Sequence, residues 1–309
     1  MILLHLMGKG AISRSSLIGN QLEREIVMDV SFQNTNNHEY ERLFNELMQS
    51  TFYFSFSSWL DMKLWDERYE SYSFIRDGKM LANICLYRTE IVVTGEKMEA
   101  YQLGAVATHK DHKGQGLSRK LMEHIQNRYP VTPMFLFANE SVLDFYPRFG
   151  FQRIYESSPS IEHIIDNPLG TAQKILPQDS VVRRFLSNGR HSSKVLYCTN
   201  SEPVEWFHLL MNYGKNIYHI WEHDVLVVAL QQKEELFIPY LNMPDGTDFV
   251  RIAAALPFTG VRTVHFGFVP DALGFSCCWK RMTGGNESMF IKGDIPLPEP
   301  FVFPAMAKT

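Results

Sequence analysis

Apolar residues recur along this chain with two periods, and the switches between them divide it into elements. In "NHEYERLFNELMQSTF", Asn37 to Phe52, the residues Tyr40, Leu43, Phe44 and Leu47 fall three or four apart, the spacing of one helical face. That helix is expected to cover one face of a sheet. "YSFIRDGKMLANICLYRTEIVVTGEKMEAYQLGAVAT" then reads as three strands, with turns at Asp77-Gly78 and Gly95-Glu96. A second helix, from Gly116 to Asn127, carries Leu117, Leu121, Met122 and Ile125 on one side. A strand from Pro133 to Ala138 and a short helix near Ser141 to Phe149, bearing Val142, Leu143 and Tyr146, complete an α/β unit ending near residue 160. Between the first helix and the strands, Phe52, Tyr53, Phe54, Phe56, Trp59, Trp65, Tyr69, Tyr72 and Phe74 crowd together. Most of these rings belong to packing, and several are expected to line a cleft, since ligand pockets are mainly apolar with few polar groups.

The remaining chain is about as long and its elements run in a similar order, although no repeat is visible in the sequence itself. A helix is expected from about Thr171, a strand at "KVLYCT", and a helix over Glu202 to Met211 with Trp206, Leu209 and Leu210. Three strands follow in "NIYHIWEHDVLVVALQQKEELFIPYLNM", a helix in "TDFVRIAAAL", and strands in "VRTVHFGFV" and "SCCWKRM". The tail "GDIPLPEPFVFPAMAKT" has four prolines, which disfavour a helix and predict an extended strap across a surface.

Composition narrows the classes. With 309 residues, 45% hydrophobic and 13% aromatic, the chain has ample apolar material for two cores. A net charge of −4, with basic residues scattered among acids, gives no electrostatic footprint for nucleic acid. No apolar run is long enough to span a bilayer, and "MILLHLM" makes a poor signal peptide, so the expectation is a cytoplasmic protein without nucleic-acid or membrane partners. Residues 1–25 read as an extension ahead of the fold, dispensable or reflecting an upstream start codon. The four cysteines, Cys85, Cys198, Cys277 and Cys278, lack CxxC spacing and read as reduced thiols. His109 and His112 have no third partner at metal-ligand spacing, so no metal is expected.

The chemistry concentrates in "ATHKDHKGQGLSRKLMEHI", Ala107 to Ile125, where a strand passes through a glycine turn into a helix. The first amides of a helix lack intrahelical partners and lie at the positive end of its dipole, so the turn is suited to a phosphate, with Lys113 adding charge. A Walker A loop fails on spacing, because no lysine directly follows Gly116. A dinucleotide fingerprint fails because Arg119 stands where its third glycine would be.

Lys113, Gly114, Gln115, Gly116, Leu117 and Ser118 resemble the acetyl-CoA turn of the GNAT acetyltransferases: Arg or Gln, two residues, Gly, one residue, then Gly or Ala. Lys113 and Ser118 are the departures. "MFLFANESVLDFYPRFGF", Met134 to Phe151, resembles the later segment of the same family, in which an Asn follows the fifth strand and a Tyr lies beyond it. Together they are similar to a bacterial subfamily related to the enhanced-intracellular-survival acetyltransferases, over roughly Phe52 to Glu156. The resemblance implies a GNAT fold, a mixed and mostly antiparallel sheet flanked by helices, followed by a second, degenerate GNAT-like α/β domain. The corresponding division is 1–25, 26–160, 161–290 and a strap at 291–309. The link "NMPDGT" before the later helix has no glycine pair, so the second half is not expected to hold pyrophosphate.

The resemblance further implies acetyl-CoA as cosubstrate and a primary amine as acceptor. Backbone groups of Val106, Ala107 and Thr108 would meet the pantetheine and acetyl carbonyl, and amides from Lys113 to Ser118 the pyrophosphate. Tyr146 matches the family tyrosine that protonates the CoA thiolate, against the alternative of simple packing beside Phe145 and Phe149. Asn139 is either a cofactor contact or a helix cap, or both. No general base is identifiable; Glu140, Asp61, Asp66 and Glu67 lie in suitable regions. In related enzymes the chain terminus reaches the site, which brings Thr309 into consideration. The later half would shape the acceptor cleft or an oligomer interface. A non-catalytic acyl-CoA sensor and an aminoacyl-transferase-like tandem protein remain as alternatives.

Overall fold

The computed structural model describes residues 30–33, by backbone alone, and 37–284 and 287–309; the expected N-terminal extension lies outside them. Along the first half run β1 (Val30–Gln33), α1 (His38–Phe52), α2 (Ser57–Asp61), β2 (Tyr69–Arg76), β3 (Lys79–Val93), β4 (Glu96–Thr108), α3 (Leu117–Arg128), β5 (Met134–Ala138) and β6 (Gln152–Arg153). Then come β7 (Ser157–Ile165), β8 (Gln173–Ile175), α4 (Ser180–Leu186), β9 (Leu196–Thr199), α5 (Glu202–Met211), β10 (Ile217–Ile220), β11 (Val225–Gln232), β12 (Glu235–Asn242), α6 (Phe249–Ala255), β13 (Val261–Phe266), β14 (Cys278–Arg281) and β15 (Ser288–Lys292).

Local rules account for the well-predicted parts. Asn37 caps α1 by accepting from the Tyr40 amide at 3.1 Å, and α1 buries the expected stripe together with Met48. Asp77-Gly78 and Thr94-Gly95 all have positive φ, the requirement of a tight turn matched to strand twist. The second hairpin therefore turns one residue earlier than Gly95-Glu96. The expected helix over 141–149 is instead two 3₁₀ turns, Glu140–Val142 and Tyr146–Phe149. Pro147 within the second has no N–H to continue a helix.

Two sheets result. The first has the order β1-β2-β3-β4-β5-β15-β6, with β9 paired to the far end of β3. The second has the order β14-β7-β13-β12-β11-β10-β8. Among the described residues each contains a single parallel pair, β4 with β5 and β12 with β13, and in each case a helix, α3 or α6, bridges the pair. The second half thus repeats the first in topology without repeating its sequence.

The sheets do not part the chain at one point. β9, the "KVLYCT" strand, joins the first sheet through Glu90–Val93 of β3. β15, for which the sequence gives no separate strand expectation, lies between β5 and β6, with Ser288 opposite Ala138 and Phe290 opposite Arg153. The helix expected from Thr171 is β8 followed by α4. The proline-rich tail is extended but buried. Phe301, Val302, Phe303, Met306 and Ala307 are enclosed, and the Ala305 amide donates to the Gly267 carbonyl at 2.7 Å. A Cβ on Gly267 would stand 2.8 Å from both Ala305 Cβ and Pro239 Cα, so only glycine admits the strap.

α3 covers one face of the first sheet, packing with Tyr72, Leu86, Leu103 and Leu136. α1, α2 and α5 cover the other, in an aromatic core that continues into Ile217, Leu226 and Tyr240 of the second sheet. Glu205 of α5 accepts from Ser201 Oγ at 2.8 Å, and burial pushes its carboxyl up from 4.5 to about 7. A carboxyl raised on folding holds its proton in the native state, so its contribution to stability is lost as pH rises from 4.5 through 7. Urea unfolding should show a smaller fall in stability between pH 5 and pH 8 for Glu205→Gln than for the parent chain, by roughly 3 kcal/mol.

Candidate active site

The site begins with a defect in strand pairing. β4 pairs with β5 only at Tyr101, Leu103 and the Gln102 between them, and beyond these residues the pairing ends. On its other side β4 slips register against β3: Asn83 faces Ala107 and Cys85 faces Gly104, leaving Ala105 and Val106 against Ile84 alone. This is a β-bulge, with Ala105 at φ 48°. A buried polar chain holds it. Asn83 Nδ2 donates to the Ala105 carbonyl at 3.0 Å, Asn83 Oδ1 accepts from Ser71 Oγ at 2.6 Å, and Tyr40 OH lies 2.8 Å from Ser71 Oγ. Asn83→Ala would leave Ser71 and the bulged carbonyl without that partner. It should lower unfolding free energy by about 1–3 kcal/mol in urea titration and reduce ligand affinity at the bulge.

After β4 the chain enters the glycine turn. Gly114 and Gly116 have φ of 79° and 74°, and apart from the adjoining residues no atom lies within 4 Å of where either Cβ would be. The turn is therefore left-handed and faces open space. The first amide of α3 to reach back is that of Lys120, bonded to the Gly116 carbonyl at 3.0 Å, so the preceding amides of the first turn point forward without intrahelical partners. Ser118, the departure from the family's small residue, places its Oγ 2.6 Å from Thr108 Oγ1 and ties helix start to strand end. Gln115 turns back, its Nε2 on the Asp111 carbonyl at 3.4 Å.

Turn and bulge open into one cavity of about 1060 Å³. Of the residues read from the sequence, Val106, Thr108, Lys113, Gly114, Gly116, Leu117, Ser118, Asn139 and Tyr146 line it. Ala107 and Gln115 do not: strand alternation sends the Ala107 side chain into the aromatic core, and Gln115 lies on the outer face of the turn. Asn139 Oδ1 accepts from the Ser141 amide at 3.2 Å and from Ser141 Oγ at 2.5 Å, so it caps the following turn while bordering the cavity. Glu140, Asp61, Asp66 and Glu67 are not among the lining residues, and Asp66 is engaged by Arg68. Among the described residues no group of three or more His, Cys, Asp or Glu could hold a metal ion.

The opposite wall comes largely from the second half, and of its residues only Thr309 was named from the sequence. It comprises Phe207 and His208 of α5 and its C-cap Asn212, with Glu287, Lys308 and Thr309. Thr309 sits against the bulge: its Oγ1 donates to the Leu103 carbonyl at 3.3 Å and would lie 2.7 Å from a Cβ on Gly104.

The model of the GNAT acetyltransferase domain family matches residues 29–154, the span that builds the bulge, the turn and Tyr146. This chain carries a GNAT acetyltransferase domain at residues 29–154. It is an acyltransferase, and its α/β architecture is a GNAT fold followed by a second, degenerate GNAT-like domain. Among solved structures it is similar to a probable N-acyltransferase from Enterococcus faecalis, at 14% identity and TM-score 0.55, covering 85% of this chain and 72% of that one. Eis1 from Mycobacterium abscessus is similar at 14% identity and TM-score 0.54, covering 85% and 73%. A GCN5-related N-acetyltransferase from Kribbella flavida gives 14%, 0.51, 85% and 71%. These likenesses concern the fold. No curated protein sequence matches the chain. No helix among the described residues is long and apolar enough to cross a membrane.

Within the GNAT cavity, two buried groups have defined protonation. Tyr146 is ringed by Phe145, Phe151 and Phe290, with centroids 5.2, 6.1 and 5.7 Å away, and this burial pushes its phenol up to about 12. The phenol therefore keeps its proton well into the alkaline range. His208 Nε2 faces the Lys308 carbonyl at 2.6 Å, an acceptor only, so that nitrogen carries the hydrogen; Nδ1 then accepts from Asn212 Nδ2 at 2.9 Å. Burial lowers the affinity of His208 for a second proton, consistent with the neutral ring these contacts require. Lys308 Nζ lies 3.1 Å from the buried Glu156 and 3.5 Å from the exposed Glu287. Desolvation raises the Glu156 carboxyl, and Lys308 opposes that shift.

Proposed function

We propose that this GNAT protein binds acetyl-CoA along β4 and the glycine turn and transfers the acetyl group to a primary amine. The observation that carries the reading is the convergence of the bulge, the open glycine turn and buried Tyr146 on one cavity. Unpaired backbone after Leu103 offers extended hydrogen bonding to a pantetheine arm. The amides of Gly114 to Ser118, with Lys113 and Arg119 beside them, suit a pyrophosphate. The widened bulge at Ala105 and Val106 gives the thioester carbonyl a fixed position, which supplies the proximity such a reaction needs.

In the transfer, a neutral amine nitrogen forms a bond to the thioester carbonyl carbon and the carbon–sulfur bond breaks. The nitrogen releases a proton to solvent, and Tyr146 donates one to the departing thiolate, to be reprotonated afterwards. Products are the N-acetylated amine and CoA thiol. The second half supplies wall rather than a second phosphate site: Asp248 caps α6, its Oδ1 accepting from the Val250 amide at 2.9 Å, so a carboxylate occupies the place an anion would take.

The test is titration calorimetry of the full chain with acetyl-CoA, followed by thiol release when a primary amine is added at pH 8. Stoichiometric binding and amine-dependent thiol release are expected. Absence of binding would overturn the assignment, and binding without thiol release for any amine would leave a non-catalytic acyl-CoA receptor.

A further inference from the structure

The cavity lies where β4 and β5 part and borders elements on both faces of the first sheet, and its two sides differ in character. On the α3 face stand the glycine turn and its cations, Lys113 and Arg119. On the α1 face Phe52, Phe54, Phe56, Trp59, Tyr69 and Phe207 line the wall together with Met48, Thr51 and Val204. Phe207 of α5 stacks on Phe56 at 5.2 Å with the rings 26° apart, and meets Phe54 edge-on at 5.8 Å; Phe54 in turn stacks on Phe52 at 6.0 Å. The two halves are pinned together here, because Trp59 Nε1 donates to the Pro203 carbonyl at 2.7 Å. Phe52, Phe54 and Phe207 are only partly buried and face the cavity.

The charges lining the cavity are unequal. Among the described lining residues Glu287 is the sole acidic side chain, and Lys308 Nζ stands 3.5 Å from it. An acceptor with several ammonium groups would have to give up water at each of them against rings and a lysine, with no second acidic side chain to compensate. An acceptor with one amine and an aromatic body meets the opposite balance: its ring replaces water against Phe54 and Phe207 in the offset or edge-on geometries such rings favour. Desolvation against the same rings favours the neutral form of the amine, which is the nucleophile.

We propose that the acceptor is a primary arylalkylamine, a single amine on a short carbon chain bearing an aromatic ring, seated against Phe54 and Phe207. This rests on the acetyl-transfer reading above.

The experiment compares 2-phenylethylamine with spermidine in thiol-release kinetics at saturating acetyl-CoA, alongside calorimetry for acetyl-CoA itself. The expected result is a kcat/KM for 2-phenylethylamine at least about tenfold above that for spermidine. Phe207→Ala should raise the KM for 2-phenylethylamine by about tenfold and leave acetyl-CoA affinity unchanged. Phe54→Glu, which places a carboxylate on the wall, should narrow or invert the preference and so tests the charge argument independently of lost packing. Equal or better use of spermidine, equal losses for both amines in Phe207→Ala, or turnover with neither probe while acetyl-CoA still binds would overturn the inference alone. Failure of acetyl-CoA to bind would overturn it together with the proposed function.

Discussion

Gly116→Glu is expected to abolish acetyl-CoA binding in calorimetry while leaving the chain folded. Two separable effects act at this residue. At φ 74° any L side chain is strained, at a cost of about 1–2 kcal/mol to the fold. Apart from the adjoining residues the new side chain meets no atom within 4 Å of its Cβ, so it enters the open space before α3. There its carboxylate would face the pyrophosphate. Two like charges 4 Å apart at an effective dielectric of 20 repel by about 4 kcal/mol, or roughly a thousandfold in affinity. Gly116→Ala carries the strain without the charge and should lose far less. Similar losses in the two variants would show that backbone shape, and not an anion seat, governs the site.

Tyr146→Phe should lower kcat by about 10²–10⁴-fold, the usual range for a positioned acid, with acetyl-CoA affinity nearly unchanged. The ring cage formed by Phe145, Phe151 and Phe290 is indifferent to the hydroxyl, so folding should survive. The pH profile supplies a second test. A phenol raised to about 12 stays protonated well beyond the range of an ordinary tyrosine, so it should impose no fall in kcat between pH 8 and pH 10. An alkaline limb near 10 in the parent that vanishes in the variant would contradict the buried state described here. Unchanged turnover would assign Tyr146 to packing.

The part of the site that could be read from sequence is the part made by contiguous residues. The glycine turn and the stripe on α3 lie within one strand–helix–strand unit and the Asn139 to Tyr146 segment follows it directly, so spacing determines placement. The bulge was hidden because its cause is distributed: Asn83 and Ser71 are strand residues with no local sign that their side chains hold the Ala105 carbonyl. The second wall was hidden for a different reason. Phe207 and His208 read simply as residues of an amphipathic helix, and Lys308 as part of a proline-rich strap. Only the exchange of strands between sheets brings them to the cavity. Likewise "SMFIK" gave no turn-bounded hairpin signal, because β15 finds its partners in β5 and β6, more than 130 residues earlier. The short helix over 141–149 failed as an expectation because two brief 3₁₀ turns share the apolar spacing of one α-helical turn.

The position of β15 has a consequence during synthesis. A ribosome delivers β5 and β6 long before the strand that belongs between them. At 5–20 residues per second, roughly 7–27 s separate the emergence of Arg153 from that of Ser288. Throughout that interval one edge of β5, carrying Phe135, Leu136 and Phe137, has unsatisfied amides and carbonyls and invites pairing with any passing strand. The nascent GNAT domain is therefore a natural client for chaperones that shield exposed strand edges, and slowed translation should lower its soluble yield more than that of a protein whose sheet is built from neighbouring segments.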